Sequence, residues 1–231
     1  MADQDPHSID RFARLPAGRH GLPADLVASN QRERIIAAVV GLVATTGYPA
    51  VTLEDIVGQA SVSRRTFYEH FSGKEEAFLA AYDTAAADLA RRIQAGVETG
   101  DTFAERTWNA LEAAIDYVVA EPALAMVCLV EIAAVGTAGI DRRNEAIRRF
   151  VTMLDRVAAD APGSAVSPPE LTTMTVVGGL NEVFYSRLVR GASDELPGLL
   201  PDLVYSVLLP FVGRDEALAE YRALLDRAAV A

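Results

Sequence analysis

A chain of 231 residues, 51% of them hydrophobic, suffices for one large or two small domains and can build an ordinary globular core. Its formal net charge of -11 argues against a nucleic-acid binder until it is divided: residues 1–74 hold 8 Lys+Arg and 8 Asp+Glu, and the rest holds 13 and 24. The excess acid lies outside the first third, so phosphate is kept off the later part while the early part can stay locally basic.

Residues 1–29 read as an N-terminal arm, either a disordered tail or, through the basic stretch RFARLPAGRHGLP at 11–23, a DNA contact in which Arg14 and Arg19 enter a minor groove. From Thr52 to Lys74 the segment TLEDIVGQASVSRRTFYEHFSGK has the layout of a helix, a tight turn and a second short helix, as in a DNA-reading helix-turn-helix. Thr52 caps the first helix, with Asp55 as a weak box partner, and Leu53, Ile56, Val57 and Ala60 recur at helical spacing. Ser61 and Val62 make the turn. Ser63 caps Arg64 to Phe71, where Phe67 and Phe71 share a buried face and leave Arg64, Arg65, Thr66, Tyr68 and His70 for the other faces. Arginines, hydroxyls and an aromatic beside a cap are phosphate and base-edge chemistry. Ser72 caps the following helix, with Glu75 as box partner, just ahead of Lys74, the chain's only lysine. Glu69 on the second helix either accepts from a cytosine amino group or repels phosphate.

Beyond Lys74 the punctuation predicts about seven helices and no strand. The first runs to about Val97. A capping box at Thr102 and Glu105 starts a helix with Trp108, Leu111, Ile115 and Val118 on one face, and Pro122 starts one that stops at Gly136. Thr137 opens an arginine-rich helix to about Ala159. Ser167, Pro168, Pro169 and Glu170 start another that reaches about Arg190, and two more run from about Leu199 to Val212 and from Asp215 to Ala229. The adjacent Gly178 and Gly179 each cost roughly 1 kcal/mol in a helix, so close packing, in the core or at an interface, should compensate. The single Cys128 excludes an internal disulfide and reads as a buried thiol in a reducing compartment. With no signal peptide, and with apolar runs broken by Glu131, Pro201, Asp202 and Pro210, a cytoplasmic protein with no membrane span is expected.

From Gln31 to Tyr82 the chain resembles the N-terminal domain of TetR-family transcriptional regulators, with RERIIAAVVGLVATTGY as first helix, TLEDIVGQASVS as second helix and turn, RRTFYEHF as recognition helix and SGKEEAFLAAY opening the fourth. Ser61 departs from the glycine usual in that turn. The resemblance implies an all-α protein: a three-helix DNA-binding domain at 30–74 joined to a helical ligand-binding and dimerisation domain at 75–231. It places Arg64, Arg65 and Thr66 at base edges and Thr52, Ser63, Tyr68, His70 and Lys74 at phosphates. It further implies a homodimer paired through Ser167 to Arg190 and Leu199 to Val212, a double-stranded operator of palindromic form, and release of a repressor by a small molecule.

Trp108, Tyr117, Met126, Glu131, Met153, Met174, Asn181, Glu182 and Tyr185 are the candidates to line an apolar ligand cavity. With few polar anchors and no interior arginine cluster evident in the sequence, an apolar or cationic effector is expected. No enzyme, cofactor or metal is expected either. His7, His20 and His70 form no triad or metal spacing, there is no G-x-G-x-x-G or P-loop, and the paired acids sit at helix starts where capping explains them. The competing reading is a helical protein-protein adaptor working through its acidic surface.

Overall fold

A computed structural model describes residues 23–159 and 171–228. Arg14 and Arg19 of the arm, and the helix start at Ser167 to Glu170, lie outside the described residues. Among those residues there are ten α-helices, two 3-10 turns and no strand. The chain divides between Ala81 and Tyr82 into two compact units.

The first unit contains α1 (Ala24–Thr46), α2 (Leu53–Ala60), α3 (Arg64–His70) and the start of α4 (Lys74–Glu98). Helix α1 begins within what the sequence reads as arm. Pro23 precedes it with φ near the helical value, Asp25 stands in the positively polarised first turn, and Ser29 donates to Glu33 at 3.3 Å. Ile35, Val39 and Val43 of α1 meet Ile56, Phe67, Phe71 and Phe78 in a buried core, with the rings of Phe67 and Phe71 5.8 Å apart.

The second unit holds the rest of α4 with α5 (Phe103–Ala120), α6 (Pro122–Leu129), α7 (Thr137–Ala159), α8 (Thr172–Val189), α9 (Leu200–Val212) and α10 (Arg214–Ala228). The expected box starts α5: Glu105 N–H donates to Thr102 Oγ1 at 3.1 Å and Thr102 N–H to Glu105 Oε2 at 3.2 Å. The single helix expected from Pro122 to Gly136 is instead α6 followed by a 3-10 turn, Glu131–Val135. The tighter turn brings the Ile132 carbonyl against α7 at Gly139, where a Cβ would stand 2.1 Å from the oxygen, so only glycine fits. Helix α5 packs on α9, α9 on α10, and α7 on α8, around Ile115, Tyr117, Val118, Leu196, Val204 and Leu208.

Among the described residues one stretch, Ser193–Val212, has the length and mean hydropathy, 1.3, of a membrane span. It is a 3-10 turn, Ser193–Leu199, running into α9, and Leu200, Leu203, Val204, Val207 and Leu208 are buried in the core of the unit. That packing uses part of its apolar surface, 39% of the stretch being buried within the unit.

Candidate nucleic-acid interface and internal cavity

In the first unit, local hydrogen bonds fix the helix-turn-helix. Asp55 N–H donates to Thr52 Oγ1 at 3.2 Å, while Asp55 Oδ2 accepts from Thr52 N–H at 2.9 Å and from the Thr52 hydroxyl at 2.6 Å. The box is complete, and those bonds, the hydroxyl first, hold the Asp55 carboxyl below the usual carboxylate range. Ser61 ends α2 at φ 50, ψ 46, the only described non-glycine residue with positive φ. It takes up the left-handed geometry that glycine would supply more cheaply. Arg34 of α1 donates to the carbonyls of Ala60 and Ser61, the latter at 2.7 Å, placing a cation at the negative end of α2. Sequence reasoning missed Arg34, because its partners lie 26 and 27 residues further on and no local pattern marks them.

Ser63 opens α3 by accepting from Thr66 N–H at 3.0 Å, and its Oγ lies 2.9 Å from Thr66 Oγ1. Phe67 is turned into the core, and the opposite face carries Arg65, its side chain 90% exposed, and Tyr68, 58% exposed. Arg64 is paired with Glu54 of α2, and Arg65 Nε donates along the helix to Glu69 Oε1 at 3.1 Å. Glu69 therefore orients an arginine in the DNA-free protein. His70 Nε2 lies 3.2 Å from Gln31 Oε1.

The Lys74 ammonium donates to the carbonyls of Tyr48 at 3.0 Å and Val51 at 2.8 Å, and sits 4.3 Å from the Tyr48 ring centre. Two of its three N–H bonds are thus committed, which fixes the position of the charge. Ser72 bonds Glu76, through N–H at 2.7 Å and Oγ at 2.6 Å, rather than the expected Glu75. Because α4 begins at Lys74 with Gly73 before it, Ser72 stands one residue outside the cap and its partner shifts by one.

The second unit encloses a cavity of about 170 Å³. Its wall is built from periodic apolar faces: Leu89, Ile93 and Val97 of α4, Thr107, Leu111, Ala114 and Val118 of α5, Phe150, Met153, Leu154 and Val157 of α7, and Val177, Leu180, Asn181 and Phe184 of α8. Met153 and Asn181 are the sequence candidates found in the wall. Trp108 and Met126 pack against the core beside it, and the buried Tyr117 donates through its hydroxyl to the Ala85 carbonyl at 3.2 Å. Glu131 lies in the 3-10 turn, while Met174 and Tyr185, 47% and 38% exposed, and Glu182 look outward.

The sequence did not reveal that Arg106 and Arg143 reach the lining. Cys128 also lines the cavity, and burial pushes its thiol up to about 12. Burial likewise pushes the Tyr82 phenol up to about 12, with nearby Arg143 and Arg149 opposing the rise. Tyr82 donates to the Arg142 carbonyl at 3.4 Å, and Asp83 pairs with the Arg142 side chain, so the cavity-lining part of α4 is tied to α7. Among the described residues, no group of His, Cys, Asp and Glu could hold a metal ion.

Residues 35–81 match the family model of bacterial regulatory proteins, tetR family. The HTH-type transcriptional activator FasR of Mycolicibacterium smegmatis is 27% identical over 118 residues, 51% of this chain and 54% of that protein, so the match spans about half the length of that curated relative. The fatty acid degradation regulator FadR from Bacillus halodurans matches with a TM-score of 0.68 at 18% identity, covering 80% of this chain and 97% of that one. The transcriptional regulator FadR from Bacillus subtilis, solved in complex with stearoyl-CoA, matches with a TM-score of 0.66 at 18% identity, covering 79% and 98%. At such identities the structural likeness establishes the fold.

Proposed function

This chain belongs to the TetR family of bacterial regulatory proteins, and from that premise we propose that it is a cytoplasmic, homodimeric, DNA-binding repressor released from a palindromic operator by a small molecule. The observation that carries the reading is α3, a short helix started by Ser63, seated by Phe67 and presenting Arg64, Arg65 and Tyr68 outward. Arg64, Arg65 and Thr66 read base edges; Thr52, Ser63, Tyr68, His70 and Lys74 hold phosphates. Arg14 and Arg19 extend the contact into the minor groove. Selection of bound DNA from a random pool tests this directly. A recovered inverted repeat supports it, and recovery of no preferred sequence overturns it.

The second copy is read from α8. Leu171, Met174, Gly178, Glu182, Tyr185 and Val189 fall on one helical stripe and are exposed, and among the described residues nothing beyond the helix's own backbone and the flanking residues comes within 4 Å of a Cβ built at Gly178 or Gly179. The close packing that would compensate these glycines is therefore not supplied by the rest of the described chain, and a twofold mate supplies it.

The effector is read from the cavity, whose long apolar walls suit an acyl chain. The FadR relative solved with stearoyl-CoA supports that class. A chain lodged between α4 and α7 would disturb the ties of Tyr82 and Asp83 to Arg142 and so move α4, which carries Lys74 at its start. Activation is the opposite sign of control, and FasR is such a case. In-vitro transcription from the selected site, with and without effector, decides the sign.

A further inference from the structure

Residues 52–74 set Arg64, Arg65 and Lys74 against Glu54, Asp55 and Glu69, a formal balance of zero on a surface that meets a polyanion. Each carboxylate there lowers affinity for DNA and calls for a reason. Asp55 is occupied in the capping box with Thr52, and Glu54 stands in the first turn of α2, where the positive end of the helix favours an acid. Glu69 has no such reason. It lies in the last turn of α3, at the negative end, while its partner Arg65 stands in the first turn, at the positive end. With the cation N-terminal to the acid, the pair also runs in the less favourable order along the helix. Helix stability therefore does not account for Glu69.

The two arginine pairs differ in the nitrogens they use. Arg64 meets Glu54 through Nη2, one of its terminal amino groups, so one arm of the fork is taken. Arg65 donates to Glu69 Oε1 through Nε, at 3.1 Å, and has no other partner among the described residues. Its Nη1 and Nη2 groups stay free, side by side at the tip of an exposed side chain. Guanine O6 and N7 call for two parallel donors, and that tip offers them with Nε still bonded. A guanine edge strong enough to displace Glu69 from Arg65 has no need to do so. Swinging the guanidinium aside to a phosphate breaks the bond and leaves a bare carboxylate beside the duplex.

We propose that Glu69 is a specificity-determining positioning residue, which holds Arg65 end-on to a guanine edge and penalises the use of Arg65 as a plain phosphate contact. The assignment rests on the DNA-binding reading above and adds a residue outside the base and phosphate contacts given there. Removing Glu69 lowers discrimination while raising general affinity for DNA. Removing Glu54, which competes for the fork itself, raises affinity without loss of discrimination.

The test measures binding of the full chain to the selected duplex, its single-base variants and a scrambled duplex over a salt series, with thermal midpoints to confirm folding. Wild type is compared with Glu69→Ala, Glu69→Gln, Glu54→Ala, Arg65→Ala and the double variant Arg65→Ala/Glu69→Ala. At the base pair whose preference depends on Arg65, Glu69→Ala is expected to lower discrimination about fivefold, and Glu69→Gln, which keeps an acceptor oxygen, about twofold. On scrambled DNA, Glu69→Ala should tighten binding and steepen the salt dependence by about one ion per recognition helix, an effect that mere structural damage does not give. Once Arg65 is alanine, removing Glu69 should no longer change base preference. Unchanged discrimination in Glu69→Ala, the same loss with and without Arg65, a loss as large in Glu69→Gln, or identical behaviour of Glu54→Ala overturns the positioning role and leaves the DNA-binding reading standing. Recovery of no preferred sequence by the wild-type chain overturns that reading itself.

Discussion

Arg64 and Arg65 differ in what holds them before DNA arrives. Arg64 reaches across to Glu54 on α2, whereas Arg65 is braced along its own helix by Glu69. Both pairs are exposed and worth at most about 1 kcal/mol, so a guanine edge offering two acceptors can displace them. Alanine at either position is expected to lower affinity and relax preference at one base per half-site by about 1 to 3 kcal/mol. Lys74→Ala or Tyr68→Phe should weaken every sequence alike. Binding curves on the selected site and its single-base variants separate the two patterns, and sequence-independent losses at Arg64 and Arg65 would remove them from base readout. A second residue-scale consequence concerns pH. Cys128 is raised from an ordinary 9.0 to about 12 by burial, so the unfolded chain gives up this proton first. The stability involved is complete below about pH 9 and is lost as pH climbs through about 12, with Tyr82, raised from 10.0 to about 12, acting in the same window. Denaturant midpoints measured from about pH 8 to 11 should fall, and Cys128→Ala should flatten the fall. An identical slope in the variant would show that the thiol is not the cause.

At the scale of elements, what could be read in advance was what is local in the chain. Thr52 with Asp55, Ser63 with Thr66 and Thr102 with Glu105 are contacts three residues apart, and all three helix starts stand where the sequence puts them. Contacts between distant segments left no such trace. Arg34 clamping the end of α2 is one, and the approach of Gly139 to Ile132, which accompanies the 3-10 turn after α6, is another. Periodicity likewise marked the apolar face of α5, and composition offered Met153 and Tyr117 as lining residues, without telling which side chains meet an empty space. Met153 lines the cavity, whereas Tyr117, equally apolar in pattern, is fully buried and bonds a backbone carbonyl. The turn between α2 and α3 shows how such elements are held against local preference. Ser61 is left-handed, a conformation costing a residue with a Cβ roughly 1 to 2 kcal/mol, and Arg34 holds it there. Ser61→Gly removes that strain but gives the unfolded chain more freedom, so a net gain of about 0.5 to 1 kcal/mol is expected. Urea unfolding measures it. A loss of stability would mean that the serine side chain contributes more than its backbone costs.

Over the whole molecule, charge and symmetry have to agree with the same reading. The basic groups of the first 74 residues balance the acids there, and the acid excess falls in the later part, so a DNA-bound dimer would keep its acidic mass off the duplex. One recognition helix of seven residues touches only a few base pairs, and tight, specific binding then needs two of them at a fixed separation. The stripe on α8, together with the 37% exposed Leu209 on α9, is the apolar surface available to set that separation. Two further charges on this stripe, which already carries Glu182 near its middle, should be costly in an interface and harmless in a monomer, because Met174 and Val189, 47% and 53% exposed, belong to no core. Met174→Glu with Val189→Glu is therefore expected to leave the folding midpoint of the separated chain nearly unchanged, to convert a dimer into a monomer in sedimentation at micromolar concentration, and to reduce affinity for a full palindrome to that for one half-site. Half-sites in the wild-type operator should lie about one helical turn or slightly more apart, and lengthening the spacer by about half a turn should weaken wild type strongly while leaving the double variant indifferent. A wild-type chain that sediments as a monomer, or a double variant that still discriminates between spacers, would refute the α8 interface.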